Sequence, residues 1–172
     1  MEIDLEPLTL NHLHEYLELE HPNCKFPLDY IERLHAKSEG NPLFLREFLK
    51  EPNGLSDTIR HLIQAKLFRL DDTFRQLLVT ASVQGREFDS AVLAATTQTE
   101  SQDVEDALHE LDEVHGLIRR IREEELLDGK FTVRYRFAHR LYQEACYASL
   151  APTRKAAISA RLAEAFLTYY GN

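Results

Sequence analysis

The sequence predicts a mainly α-helical protein that carries one two-stranded β-hairpin in its C-terminal half. Three observations predict this fold class. Apolar residues recur at helical spacing over most of the 172 residues. Glycines, prolines and acidic or hydroxyl capping residues separate these stretches. Only over residues 117–137 does the period change, to β-branched or aromatic residues that alternate with arginines.

The composition is that of an ordinary globular protein, with 44% hydrophobic and 28% charged residues. The sequence has neither a secretory signal nor an apolar run of about 18 residues, so we predict a cytoplasmic protein that does not enter a membrane. Cys24 and Cys146 are far apart and form no metal-binding or disulfide pattern. We expect two reduced thiols, with Cys146 on a buried helix face.

The charge is unevenly placed along the chain. The net charge of −9 argues against a general polyanion binder. Residues 1–116 carry 10 Lys and Arg against 23 Asp and Glu, whereas residues 117–172 carry 10 against 6. The sign of the charge therefore changes near Gly116.

The first part of the chain predicts three helices. Residues 3–8 are predicted to be the tail of a strand or an extended lead-in, and Thr9 or Asn11 then caps a helix with apolar residues at helical spacing. A second helix is predicted over residues 28–36 and a third over residues 43–50. The turn residues Glu51-Pro52-Asn53-Gly54 then predict a boundary.

A tight corner, Glu39-Gly40-Asn41-Pro42-Leu43-Phe44, joins the second and third helices. Gly40 suits the C-cap of one helix, and Asn41 has the side chain of an N-cap for the next. Pro42 suits a first helical turn, where the N–H that it lacks has no partner. We expect Leu43, Phe44 and Phe48 to point into a core.

The second part predicts further helices and then the hairpin. Helices are predicted from Ser56 or Asp57 to Leu70, from Asp71 to Val83, around Val92, and over residues 101–115. The hairpin strands are residues 117–122 and 131–137, with Glu123-Glu124-Glu125 in a solvated loop between them. Helices followed by such a hairpin are the order of a winged-helix domain, and two more helices follow, around residues 141–150 and after Pro152.

Two stretches resemble the STAND group of signalling ATPases, which are related to AAA+ proteins. One is the corner with Leu45, Glu47 and Phe48, which is similar to a corner in the lid of that group. The other is Tyr135-Arg136-Phe137-Ala138-His139-Arg140-Leu141, which is similar to the passage from the hairpin into the next helix of its winged-helix domain. In the group, the proline lies against the adenine, and in several members the histidine reaches the β-phosphate of ADP.

The resemblance covers roughly the whole chain. It implies a helical lid subdomain over residues 1–52, a winged-helix domain over 53–138 and a helical arm over 139–172. It also implies that Asn41, Pro42 and His139 contact nucleotide. The fold it implies is mainly α, with a two-stranded hairpin in the winged-helix domain and a C-terminal helical arm.

The chain lacks the parts of the ATPase that carry out catalysis. It contains no G-x-x-x-x-G-K-[ST] motif and no hydrophobic strand that ends in paired acids. We therefore expect no ATP hydrolysis, and very weak or no ATP binding, by this chain alone. The resemblance implies a larger parent ATPase that binds ATP or ADP through an additional N-terminal domain. This chain would be its regulatory part, and would couple nucleotide state to conformational change and to assembly with itself or with protein partners.

Two other functions remain open, a winged-helix DNA-binding domain and a helical protein-interaction scaffold. Arginines cluster around the hairpin and could contact nucleic acid or a protein partner; they are Arg119, Arg120, Arg122, Arg134 and Arg136, with Arg140 beyond them. The helix that would enter the major groove, residues 101–115, is acidic on its exposed face, so we favour a protein-facing or nucleotide-facing role. His12 and His14 do not share a helix face, so we predict no metal site.

Overall fold

A computed structural model describes residues 6–21, 24–50, 57–126, 129 and 131–171. Over these residues the protein is mainly helical, as predicted, and it has a small three-stranded antiparallel sheet. The elements in chain order are α1 Leu10–Glu20, α2 Leu28–Ser38, α3 Pro42–Lys50, α4 Asp57–Phe68, α5 Asp72–Gln84, β1 Glu87–Asp89, α6 Ser90–Thr97, α7 Ser101–Glu113, β2 Ile118–Glu125, β3 Phe131–Phe137, α8 Arg140–Ala148 and α9 Pro152–Tyr170.

The chain forms two compact units, Met1–Leu62 and Ile63–Asn172. The division falls inside α4. The predicted domain boundary after residue 52 lies outside the described residues, and so does the turn that led to it. The predicted boundary after residue 138 stays a prediction.

In the first unit, α1, α2 and α3 pack through apolar residues at helical spacing. α1 begins with a capping box, because the His12 amide donates to the Thr9 hydroxyl at 3.2 Å and the Thr9 amide donates to Nδ1 of His12 at 3.4 Å. The buried residues of the three helices include Leu13, Leu17, Ile31, Leu34, Phe44, Leu45 and Phe48. One core prediction is wrong, because Leu43 is 50% exposed.

The second unit is built around one large apolar core. It joins α5, α6, α7 and the sheet, and its buried members include Leu78, Phe88, Leu93, Leu108, Leu111, Leu117, Ile118, Tyr135, Phe137 and Cys146. Phe88 lies near Tyr135 and Phe137, with ring centroids 5.9 and 5.5 Å apart. Cys146 is 1% exposed, which confirms its predicted burial.

The sheet differs from the predicted hairpin in two ways. Its order is β1-β3-β2, so the short strand β1, which the sequence did not predict, pairs with β3 on the side opposite β2. Strand β2 also continues through Glu123, Glu124 and Glu125, which are paired with β3 rather than lying in a loop. The acids were wrongly placed because charged residues are uncommon in strands.

Helix α9 packs on the second unit through a separate apolar cluster. Val92 of α6 meets Leu150, Ile158, Leu162 and Ala165 there, and Val79 and Val83 of α5 border them. Tyr169, in the last turn of α9, is partly buried against the same cluster. Among the described residues, no helix is long and apolar enough to cross a membrane.

Candidate functional site

The corner before α3 has a backbone that requires glycine at position 40. Helix α2 ends at Ser38, and its C-cap is Glu39 rather than the predicted Gly40; both residues have positive φ, at 50° and 73°. A Cβ atom on Gly40 would lie 2.4 Å from the Leu8 carbonyl oxygen and 2.9 Å from the Leu8 nitrogen. Both the backbone angle and the close approach exclude a side chain at this position.

The lead-in segment is fixed against this corner by two hydrogen bonds. The Leu8 amide donates to the Gly40 carbonyl at 2.8 Å, and Nε2 of His35 donates to the Leu8 carbonyl at 2.8 Å. The described end of the lead-in is thus bonded to the corner, while residues 3–5 of the predicted segment lie outside the described residues.

Asn41 is the predicted N-cap of α3. Its Oδ1 accepts from the amides of Leu43 at 3.0 Å and Phe44 at 3.3 Å. Pro42 is the first residue of the helix, and it is exposed. The corner thus holds a proline ring at the surface on a fixed backbone.

His139 is the N-cap of α8, and its side chain is 4% exposed. Nδ1 of the ring accepts from the Leu141 amide at 3.1 Å. In the neutral ring the proton must then be on Nε2. The sequence predicted the position of His139 after the second hairpin strand but not this capping role.

The structure places the predicted nucleotide residues in different compact units. Asn41 and Pro42 belong to the first unit, and His139 belongs to the second. Asn41 and His139 each accept capping hydrogen bonds within their own unit.

The arginines of the hairpin are largely paired with acids. Arg119 contacts Asp112 at 3.1 Å, Arg122 and Arg134 both contact Glu124 at 2.5 and 3.3 Å, Arg120 contacts Glu123, and Arg140 contacts Glu144 at 2.7 Å. The hydrogen bond from Arg122 holds the pKa of Glu124 below its usual value. Of the predicted contact residues, only Arg136 has no acidic partner within the described part of the chain.

Asp112, near the end of α7, also contacts the outer edge of the sheet. Its Oδ2 accepts from the Arg120 amide at 2.9 Å, in addition to the bond that Oδ1 forms with Arg119. The predicted basic surface of the hairpin is thus neutralised by residues of the same unit. This leaves less positive charge for phosphate than the sequence suggests.

A buried polar network that the sequence did not predict centres on Asp89. Asp89 is 0% exposed and caps α6 by accepting from the Val92 amide at 3.0 Å. The Thr132 hydroxyl donates to the same oxygen, Oδ1, at 2.8 Å, and Ser90 lies 3.1 Å from that hydroxyl. We call Asp89, Ser90, Thr132 and Tyr170 the Asp89 network.

Tyr170, in the last turn of α9, completes this network. Its hydroxyl donates to Oδ2 of Asp89 at 2.5 Å. Burial raises the pKa of the Tyr170 phenol, and the bond to Asp89 raises it further, so the hydroxyl stays protonated and can donate. The sequence signals were too weak to find the network, because its members are distant in the chain and individually ordinary.

Arg134 lies beside the same network. Burial alone would lower the pKa of Arg134, but its bond to Glu124 and the nearby Asp89 carboxylate raise it overall. Its Nε atom is buried and has no hydrogen-bond partner among the described residues. Over the same residues, no group of three or more His, Cys, Asp or Glu side chains is arranged to hold a metal ion.

Comparisons of the chain with protein-family models, with curated proteins and with solved structures found no match.

Proposed function

We propose that this chain is the non-catalytic regulatory part of a STAND-type signalling ATPase, comprising its lid, its winged-helix domain and the start of a helical arm. The observation that carries the proposal is the corner at residues 39–42. Gly40 can be no other residue, and Asn41 caps the helix that presents Pro42 at the surface. A rigid, exposed proline is suited to lie flat against an adenine ring without loss of conformational entropy.

His139 supports the proposal from the second unit. With Nδ1 occupied by the Leu141 amide, the neutral ring carries its proton on Nε2, the atom that would donate to a phosphate oxygen. The N-terminus of α8 adds a positive dipole end at the same place, which favours an anion. Because His139 is 4% exposed, a phosphate would reach the ring only when the residues over this end of α8 move.

The element order of the second unit supports the winged-helix part of the proposal. Helix α5, strand β1, helices α6 and α7, and the β2–β3 hairpin follow one another, and the hairpin passes directly into His139 and α8. In this role the chain supplies two contacts to nucleotide, and a separate domain of the parent supplies the phosphate loop. Bound ADP would hold the parts together in a resting state, and exchange would release them.

The proposal is tested in the complete parent protein by measuring the ADP that remains bound after purification. We expect His139→Ala and Pro42→Ala each to lower ADP retention and speed ADP release. His139→Asn separates the two roles of the residue, because asparagine can cap α8 but cannot supply the imidazole N–H. His139→Asn should therefore fold like the wild type and still release ADP quickly.

The matched control is His109→Ala, which removes an exposed histidine from α7. Unchanged ADP release in both His139 variants would overturn the proposed role of this residue. A parent sequence that encodes no Walker A motif before this region would overturn the ATPase assignment as a whole. The chain would then be a stand-alone scaffold, which is the third of the functions considered.

DNA binding is the second of the three functions considered, and the charge arrangement gives it less support. Most hairpin arginines are paired within the unit, and the exposed face of α7 carries Asp103, Asp106, Glu110 and Glu113. A salt titration with duplex DNA distinguishes this alternative, because a phosphate-binding surface loses affinity steeply as salt rises. Sequence-specific binding near physiological salt would favour it over the ATPase assignment.

A further inference from the structure

We propose that Asp89 is a two-position switch that holds the last turn of α9 through Tyr170 and, when that turn leaves, accepts Arg134 in its place. The inference concerns the second unit alone and does not depend on nucleotide binding. It gives α9 a releasable end whose attachment is controlled by one buried carboxylate.

Arg134 lies opposite Asp89 on the sheet. Asp89 of β1 and Arg134 of β3 are direct cross-strand partners in the antiparallel register. Such partners point to the same face of a sheet, with Cβ atoms about 5 Å apart. A guanidinium and a carboxylate so placed are within reach of an ion pair, yet the two side chains form no hydrogen bond to each other in this arrangement.

The Asp89 carboxylate and the Arg134 guanidinium each have other partners in this arrangement. Oδ1 of Asp89 accepts hydrogen bonds from the Val92 amide and the Thr132 hydroxyl. Oδ2 accepts one from the Tyr170 hydroxyl. Arg134 turns instead to Glu124 at 3.3 Å, a carboxylate that it shares with Arg122 at 2.5 Å. Its Nε is buried without a partner among the described residues, and an unpaired buried donor costs free energy.

These facts define two arrangements of the Asp89 network. With Tyr170 bound, Asp89 is satisfied and Arg134 keeps an unpaired donor. With Tyr170 absent, Oδ2 would lose this hydrogen bond, and Arg134 could turn to Oδ2 and satisfy Nε at the same time. The unpaired donor therefore lowers the cost of releasing Tyr170.

The remaining contacts of α9 limit what is released. The buried α9 residues of the apolar cluster are Ile158, Leu162 and Ala165, which precede the last turn, and from that turn the partly buried Tyr169 packs against the cluster. Phe166 and Leu167 are already exposed, at 38% and 71%. Loss of the Tyr170 bond thus frees only the final turns, while the rest of α9 stays docked.

The test is amide hydrogen exchange over residues 165–171 in the 172-residue chain. We expect Tyr170→Phe to speed exchange about tenfold, since it removes a hydrogen bond to a carboxylate. The matched control is Tyr169→Phe, which removes the neighbouring hydroxyl from a residue at the edge of the α9 cluster and should leave exchange unchanged. Equal exchange rates in the two tyrosine variants would show that the Tyr170 hydroxyl does not hold the last turn of α9.

Replacing Arg134 should change the rate of amide exchange in the direction opposite to that expected for Tyr170→Phe. Because Arg134 stabilises the released arrangement, Arg134→Gln should slow exchange of the last turn of α9, by about fivefold. A residue that merely supports the fold would speed exchange when removed. Arg136→Gln is the control, because Arg136 lies two residues further along β3 and is exposed. Exchange that is unchanged or faster in Arg134→Gln would overturn the switch.

Discussion

Gly40 lies so close to Leu8 that a Cβ atom at position 40 would stand 2.4 Å from the Leu8 carbonyl oxygen. Gly40→Ala must therefore displace the lead-in segment as well as adopt a φ of 73°. We expect it to lower the free energy of unfolding by about 3 kcal/mol, measured by urea unfolding with circular dichroism.

Gly129→Ala is the control that isolates the cost of placing alanine at a positive φ. Gly129 has a similar φ of 78°, but a Cβ there would meet nothing within 4 Å. Its expected cost is about 1 kcal/mol. Equal losses in the two variants would mean that the contact with Leu8 contributes nothing.

The N-cap at Asn41 gives a second prediction. Asn41→Ala removes the acceptor for the amides of Leu43 and Phe44 and should cost about 1 kcal/mol of stability. Asn41→Asp should retain that stability, because aspartate also caps and its charge favours a helix N-terminus. Asn11→Ala, at an exposed position inside α1, should leave the free energy of unfolding unchanged. A loss in Asn41→Asp as large as in Asn41→Ala would contradict capping.

The two cysteines should differ in reactivity. Cys24 is exposed, whereas burial raises the pKa of the Cys146 thiol to about 12. At pH 8 a thiol reagent should therefore modify one cysteine in the folded chain and both in denaturant. Rapid modification of both under native conditions would contradict the burial of Cys146.

The same shift predicts how stability changes at alkaline pH. The folded state keeps the Cys146 proton after the unfolded state has lost it. The stability that the raised pKa of Cys146 contributes is therefore fully present below the ordinary thiol pKa of 9.0. It is lost as the pH rises from 9.0 towards about 12. Burial also raises the pKa of Tyr142, which adds a loss of the same sign. Cys146→Ala should flatten the curve of unfolding free energy against pH in this range.

The ion pairs of the hairpin predict its affinity for polyanions. Glu124→Gln releases both Arg122 and Arg134, so the variant should elute from heparin at higher salt than the wild type. Glu125→Gln makes the same change of charge at an exposed position of β2 without releasing an arginine. If both variants elute together, net charge alone sets the affinity and the pairing has no effect.

Local patterns in the sequence predicted most helices and the corner. Apolar residues at helical spacing predicted α1, α2, α7 and α9. The capping preference of asparagine predicted that Asn41 is the N-cap of α3. These features depend on residues within a few positions of one another. Strand β1 escaped prediction because three residues are too few to show a period.

Contacts between distant residues escaped prediction for a different reason. The Asp89 network joins β1, β3 and α9, and nothing near Thr132 or Tyr170 in the sequence indicates a shared carboxylate. The arginines looked like a basic surface because Asp112 and Glu124 could not be assigned as partners before the strand register was known. The charged residues can be read from the sequence, whereas the ion-pair partner of each one is known only from the fold.

Strand β2 lies at an edge of the sheet, and its outer side affects aggregation. An exposed edge is a template on which strands of other chains can add. Here the Asp112 carboxylate covers the Arg120 amide, an irregularity interrupts the ladder between Arg120 and Arg122, and charges line the rest of the strand. The outer edge of β2 is therefore a poor template for strand addition, although β2 is the longest strand of the sheet.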